Sequence, residues 1–329
     1  MAVTSHDVAR LAGVSQPTVS RALRPDSPVS ARTRERVRKA AETLGYVPSE
    51  LGRSLATRST RQIAMVADLE NPLYPRLVGP LHDAFAAEGF RMVLLAEREE
   101  RLDEVTRLFD GSVDGAVLTT SQLLSPLPGE LQRRGIPFVQ LNRVSELVEA
   151  DSVTADNAAG GRAVAALLAG AGHRTIGAVL GPRETSSARE RERGFRAGLR
   201  AAGITLPARQ VVRGWFSYAV GYDGLHRLLS APEPPTAVFC INDIVAVGAL
   251  NAARERGLAV PGDLTVVGFD DLDIASWPVF DLTTVRIDFA AMARRAAELL
   301  LRRLGSPDAA PVHERFPVEP VLRRTHAER

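Results

Sequence analysis

The segment Gln16-Pro17-Thr18-Val19-Ser20-Arg21 sets a planar amide and a planar guanidinium near each other, with small hydroxyls between them. Arg presents two donors to guanine O6 and N7, and Gln presents a donor and an acceptor to adenine. Each good bidentate contact of this kind discriminates against a wrong base by about 1–3 kcal/mol. Pro17 can touch only a thymine methyl or a sugar. A second, scattered set consists of Arg191, Asn142, Asn242 and Asp270, whose planar groups can pair with vicinal hydroxyls, with Tyr74 and Trp215 as aromatic faces for an apolar side.

The first set needs a short helix held by two others. Thr4-Ser5-His6-Asp7 reads as a capping box opening a helix through Val8, Ala9, Leu11 and Ala12. Gly13-Val14 predicts a sharp turn. Ser15 can cap a second helix with Pro17 in its first turn, where a missing amide hydrogen costs little, and with Val19, Ala22 and Leu23 facing inward. Gln16, Pro17, Thr18, Ser20 and Arg21 are left outward. Ser30 begins a third helix with Val37, Ala40, Ala41 and Leu44 on one face, and Gly45 stops it. Three short helices with a tight glycine turn make a helix-turn-helix, whose second helix enters the major groove of DNA.

Charge agrees. Residues 1–61 hold eleven Lys and Arg against five Asp and Glu, so this stretch is +6 and the remainder is −4 in a chain of net charge +2. That asymmetry is the footprint of a phosphate-binding head on a non-binding body. After Tyr46-Val47, the segment Pro48 to Ala56 puts Leu51 and Leu55 on one helical face but is too short to hold a helix alone in water. A leucine wedged between base steps in the minor groove gives that stripe a use; packing as a linker helix on the body is the alternative.

The set in the body needs strand ends. After Arg61 the pattern becomes alternating apolar runs and amphipathic helices, which predicts parallel sheets covered on both faces. Strands are expected at Ile63 to Ala67, Met92 to Ala96, Gly115 to Thr119, Phe138 to Leu141, Thr175 to Leu180, Val211-Val212, Ala237 to Cys240 and Leu264 to Phe269. Helices are expected near Leu77 to Gly89, Leu102 to Phe109, Leu131 to Gly135 and Asn157 to Ala171. Ligands of open parallel sheets bind beyond the carboxyl ends of the strands, and the residues there are polar: Asp68 to Tyr74, Thr119, Asn142-Arg143, Arg183 to Arg191, Trp215, Asn242-Asp243 and Asp270-Asp271. Asn and Asp at such positions also cap the following helix.

Other classes are disfavoured. No run is long and apolar enough to span a bilayer and the amino terminus has no export signal, so a cytoplasmic location is expected, nucleoid-associated when DNA is bound. Cys240 is the only cysteine, and the six His show no metal spacing, so neither a metal nor a cofactor is expected. Gly170-Ala171-Gly172 lacks the third glycine of a dinucleotide fingerprint and precedes a strand, and Ser187 sits in no nucleophile elbow, so no catalytic residues are assigned.

The runs Asp7-Val8-Ala9, Ala12-Gly13-Val14-Ser15, Thr18-Val19-Ser20-Arg21, Leu44-Gly45-Tyr46-Val47-Pro48 and Arg53-Ser54-Leu55 resemble the LacI/GalR family of bacterial transcription regulators, and the likeness continues through the body. The resemblance implies a small all-α helix-turn-helix head joined to an α/β body of two-lobed, periplasmic-binding-protein-like fold with parallel sheets. The expected division is a DNA-binding domain over 1–47, a hinge over 48–61 and an effector-binding and dimerisation domain over 62–329. Its N-lobe takes about 62–157 and 286–315, its C-lobe about 158–285 and 316–329, with crossovers near Asn157, Arg286 and Phe316. The implied function is an operator-binding homodimer, a repressor switched by a small molecule, a sugar before a nucleoside or phosphorylated metabolite. Expected DNA contacts are Thr4, Ser15, Gln16, Pro17, Thr18, Ser20, Arg21, Ser30, Arg34, Arg53 and Leu55, the last as the wedge. Expected effector contacts are Tyr74, Thr119, Asn142, Arg191, Trp215, Asn242 and Asp270. Gly52 stands where the family's hinge helix usually has Ala, and Gly disfavours helix by about 1 kcal/mol, so this hinge should order less readily without DNA.

Overall fold

A computed structural model of the chain describes residues 3–23, 28–47, 59–96 and 108–327. Two units are present, Met1–Thr60 and Arg61–Arg329. The hinge segment with Gly52, Arg53 and Leu55, and most of the helix expected at Leu102 to Phe109, lie outside the described residues.

The first unit contains α1 (Ser5–Ala12), α2 (Gln16–Ala22) and α3 (Ala31–Leu44). The Asp7 carboxylate accepts from the Thr4 amide and hydroxyl, fixing the start of α1. Gly13 ends that helix in the left-handed conformation at φ 62°, where a side chain is strained, and turns the chain into α2. Val8, Ala9, Ala12, Val19, Ala22, Val37, Ala40 and Ala41 make one small buried cluster. Its residues are those of the predicted apolar faces, save that Leu23 and Leu44 are only partly buried and Leu11 is exposed. Arg36 of α3 donates to the carbonyls of Ala12 and Gly13, pinning the turn from outside.

The second unit is built on two parallel sheets. The larger has six strands: β1 (Gln62–Ala67), β2 (Arg91–Ala96), β3 (Gly115–Leu118), β4 (Phe138–Leu141), β5 (Ser152–Ala155) and β11 (His313–Phe316), in the order β11-β5-β4-β3-β1-β2. The smaller has four: β6 (Ile176–Leu180), β7 (Val211–Arg213), β8 (Ala237–Cys240) and β9 (Thr265–Val267), in the order β7-β6-β8-β9. Strands β10 (Thr284–Ile287) and β12 (Val318–Val321) pair antiparallel as a ribbon. Most strands of the two parallel sheets are buried along nearly their full length, as sheets covered by helices on both faces must be. On the larger sheet pack α4 (Pro75–Ala87) and α10 (Phe289–Gly305), with α5 (Leu127–Arg133) before β4. Against the smaller sheet lie α6 (Asn157–Gly170), α7 (Ser186–Ala201), α8 (Tyr218–Leu229) and α9 (Asp243–Glu255).

Sequence patterning did not single out β5, β10, β11 or β12. Strand β11 is an edge, His-Glu-Arg-Phe, and β12 contains Pro320, which an edge tolerates because no ladder amide is needed there.

The crossing of α6 over α7 is close enough to be set by glycine. A Cβ on Gly161 would stand 2.2 Å from the Arg191 carbonyl oxygen, and one on Gly194 would stand 2.0 Å from that of Ala158. The two backbones touch, and this contact fixes where α7 delivers Arg191.

Candidate functional site

On the head, Pro17, Ser20 and Arg21 are exposed on α2, while Gln16 and Thr18 are half-buried. The Gln16 amide donates to the Ser5 hydroxyl at 3.3 Å, so α1 orients it. Ser15 takes the position before α2, but its hydroxyl pairs with that of Thr18 at 2.8 Å and makes no bond to the helix amides. Ser30 caps α3 by accepting from the Thr33 amide at 3.2 Å. Thr4 serves the capping box, and Arg34 is half-buried on α3. An exposed face with one guanidinium and one pre-oriented amide suits base-edge recognition.

In the second unit a narrow polar cleft is lined by Asn142, Arg143, Arg191, Asn242 and Asp270, with Ser187, Asn71, Leu73, Tyr74 and Phe216 completing its wall. Arg191 is its centre. Buried to 2 % exposure, it donates from Nε to Asn157 Oδ1 at 2.8 Å, from Nη1 to the Ile241 carbonyl at 2.8 Å and from Nη2 to Asp270 Oδ1 at 2.7 Å. Its guanidinium carbon stands 3.9 Å from the centre of the Phe269 ring. Three of five N–H donors are thereby committed, which aims the remaining two.

Asp270 follows β9 at φ 109°, a backbone that costs a non-glycine residue about 1–3 kcal/mol and persists only where its surroundings impose it. Its amide donates to the Val285 carbonyl at 2.8 Å, bridging β9 to β10 and holding that geometry. Burial pushes the carboxyl above the usual range, opposed by the charges of Arg191 and Arg143. Burial likewise pushes Arg191 down, opposed chiefly by Asp270. Behind it, Asp243 is driven further up by burial and by the neighbouring Asp270, although it accepts from Thr284 at 2.5 Å and from the Leu272 amide at 2.7 Å.

Asn242 does two things at once. Its Oδ1 accepts from the Val245 amide at 3.0 Å and caps α9, and its side-chain amide nitrogen remains for a ligand. Asn142, at φ 71°, sends the chain out of β4 into the cleft, and its own side-chain amide bonds to nothing among the described residues. Tyr74 is fully buried on the wall. Thr119 is also fully buried, but its hydroxyl donates back to the Val66 carbonyl at 2.6 Å and it is not among the lining residues. Trp215 is 46 % exposed and outside the lining; Phe216 lines the cleft beside it.

Arg143, Ser187, Asn71 and Phe216 join the site without having been singled out individually. Arg143, Ser187 and Asn71 lie in segments following strands, which was the available signal; the pairing of Arg143 with Phe216 exists only in three dimensions. Among the described residues no group of His, Cys, Asp and Glu could hold a metal, and no helix is long and apolar enough to cross a membrane. Burial pushes the Cys240 thiol far up, leaving it no nucleophile.

A helix-turn-helix head and a two-sheet body with a polar cleft define a DNA-binding transcriptional regulator. Residues 4–49 match the family described as bacterial regulatory proteins, lacI family, and residues 165–326 match a periplasmic binding protein-like domain. The chain is 34% identical over 308 residues to the HTH-type transcriptional repressor CytR of Escherichia coli (strain K12), covering 92% of this chain and 90% of that protein. It is similar to a solved complex of the transcriptional regulator CelR with cellobiose, at 32% identity and TM-score 0.76 over 98% of this chain and 100% of that one. It is also similar to a lac repressor dimer bound to operator and the anti-inducer ONPF, at 28% identity and TM-score 0.88 over 99% of each. The chain belongs to the LacI family of bacterial transcriptional regulators.

Proposed function

We propose that this regulator represses transcription by binding a palindromic operator as a dimer and is switched, without catalysis, by a sugar in the cleft. The observation that carries this is the convergence of Arg191, Asp270, Asn242 and Asn142 on one space, each with hydrogen-bonding capacity left over. Vicinal hydroxyls are matched by such planar groups. The cellobiose complex of CelR and the operator-bound lac repressor dimer support the same reading.

In this reading Gln16 and Arg21 read bases, with Thr4, Ser15, Pro17, Thr18, Ser20, Ser30, Arg34 and Arg53 contacting the duplex and Leu55 entering the minor groove. Residues 1–47 are the DNA-binding domain, 48–61 the hinge and 62–329 the effector-binding domain. Ligand shifts the body between two states that differ in affinity for it; a ligand indifferent to the two shifts nothing. The coupling is reciprocal, so operator changes ligand affinity by the same factor.

The test is operator binding by fluorescence anisotropy, with and without a panel of sugars, on wild type and Asp270→Asn. Alanine at 270 would strip a buried guanidinium of its counter-ion at a cost of about 3–5 kcal/mol, whereas Asn keeps a partner for Arg191. The expected outcome is that Asp270→Asn binds operator within about twofold of wild type but loses roughly tenfold or more in ligand affinity, as expected when a charged hydrogen-bond partner is lost. A variant that responds to the same sugar at the same concentration sinks the cleft as effector site.

A further inference from the structure

The charges that line the cleft do not balance. Arg191 and Asp270 neutralise one another at 2.7 Å, but Arg143 is 7 % exposed and has no ion pair and no side-chain hydrogen bond among the described residues. Its Nε is fully buried with nothing to donate to. Its guanidinium carbon stands 4.7 Å from the centre of the Phe216 ring, and both residues face the same space. Taking most of a cation out of water with no ion pair or hydrogen bond of its own, and with the nearby Asp270 already shared with Arg191, is costly, and an aromatic face returns only a small part of that cost. Stacking on Phe216 does something else. It occupies one face of the guanidinium and leaves the N–H edge, a fork whose spacing matches the oxygens of a carboxylate or phosphate.

Three residues therefore set the charge of the lining, two positive and one negative. The buried Asp243 behind them has its oxygens committed to Thr284 and Leu272. A neutral sugar could accept hydrogen bonds from Arg143 through its hydroxyls but would leave the excess positive charge uncompensated. We infer that the cognate ligand carries an anionic group, phosphate or carboxylate, that docks on the edge of Arg143 while its hydroxyls engage Arg191, Asp270 and Asn242. This rests on the reading of the cleft as the effector site.

The experiment uses the full chain and two measurements. In the first, calorimetric titrations compare ribose with ribose 5-phosphate, and glucose with glucose 6-phosphate and glucuronate, on wild type, Arg143→Met and Arg143→Lys. At least one anionic compound binds wild type roughly tenfold or more tighter than its neutral parent. Arg143→Met abolishes that ratio and Arg143→Lys restores part of it. If the bound group is phosphate, affinity rises as pH passes its second ionisation near about 6; if carboxylate, affinity stays flat there.

The second measurement needs no ligand. Removing a buried, unpaired charge while keeping the stem that packs on Phe216 raises the thermal midpoint of Arg143→Met above wild type, and a lowered midpoint makes Arg143 a structural brace and overturns the inference. Neutral sugars that bind as tightly as their anionic counterparts overturn it too, while leaving the cleft an effector site. Failure of all three chemical classes to bind wild type removes the sugar reading of the cleft, and the inference with it.

Discussion

Single side chains in this regulator are held by neighbours that leave part of each one unspent. Arg21 stands exposed on α2 while Arg34 is half-buried on α3; in the proposed reading the first reads a base and the second attracts the duplex whatever its sequence. Arg21→Ala should relax preference at one position per operator half-site, with a loss of about 1–3 kcal/mol for the cognate base, and Arg34→Ala should weaken all sequences alike. Competition binding against a set of single-base operator variants distinguishes the two; equal profiles would contradict the assignment. Asp243 makes a pH prediction. Its folded-state value lies above the ordinary 3.8, through burial first and then Asp270, so the folded chain holds that proton more tightly than the unfolded one does. Its contribution to stability is full below that ordinary value and is lost as pH rises through the raised one. Asp243→Asn cannot ionise, so its thermal midpoint should fall less than that of wild type as pH is raised above about 4, and parallel midpoint curves would show that Asp243 does not titrate in this way.

At the scale of elements, the α6–α7 crossing decides whether the cleft has a centre. Gly194→Ala places a methyl against the Ala158 carbonyl, closer than any real contact, and the helices must separate. The expected cost is about 1–3 kcal/mol in chemical denaturation, accompanied by weaker ligand binding because α7 carries Arg191 a turn earlier. A variant as stable as wild type would mean that the crossing has slack.

The head was legible in the sequence because its determinants are local: a capping box at Thr4 and Asp7, glycines at 13 and 45, and inward Val and Ala at helical spacing. Most of the cleft was legible for a different reason. Ligand groups gather after parallel strands, and Asn142, Asn242 and Asp270 sit there. What escaped depends on side-chain direction and long-range pairing. Beyond β7 a shift of one residue exchanges sides, so Phe216 faces the cleft and Trp215 the solvent. Thr119 spends its hydroxyl on the Val66 carbonyl of the neighbouring strand, a partner far away in the chain. Strands β10 to β12 carry charge and proline because edges and ribbons need no apolar alternation.

At the scale of the whole molecule, the second unit is not assembled in chain order. Strand β11 completes the larger sheet by pairing with β5, and α10 covers strands formed far earlier. A chain ended at residue 310 should therefore keep the helical head, whose cluster lies within residues 8–46, yet lose the single cooperative melting transition of the body. Calorimetry on that truncation checks this, and an unchanged body transition would show β11 to be dispensable. The same topology bears on birth at the ribosome. Ser152 meets His313, which is added 161 residues later, a delay of about 10–30 s at ordinary translation speeds. Throughout that interval the nascent body exposes a strand edge, so its yield in the cell should depend on chaperone capacity, whereas the head is free to finish folding first.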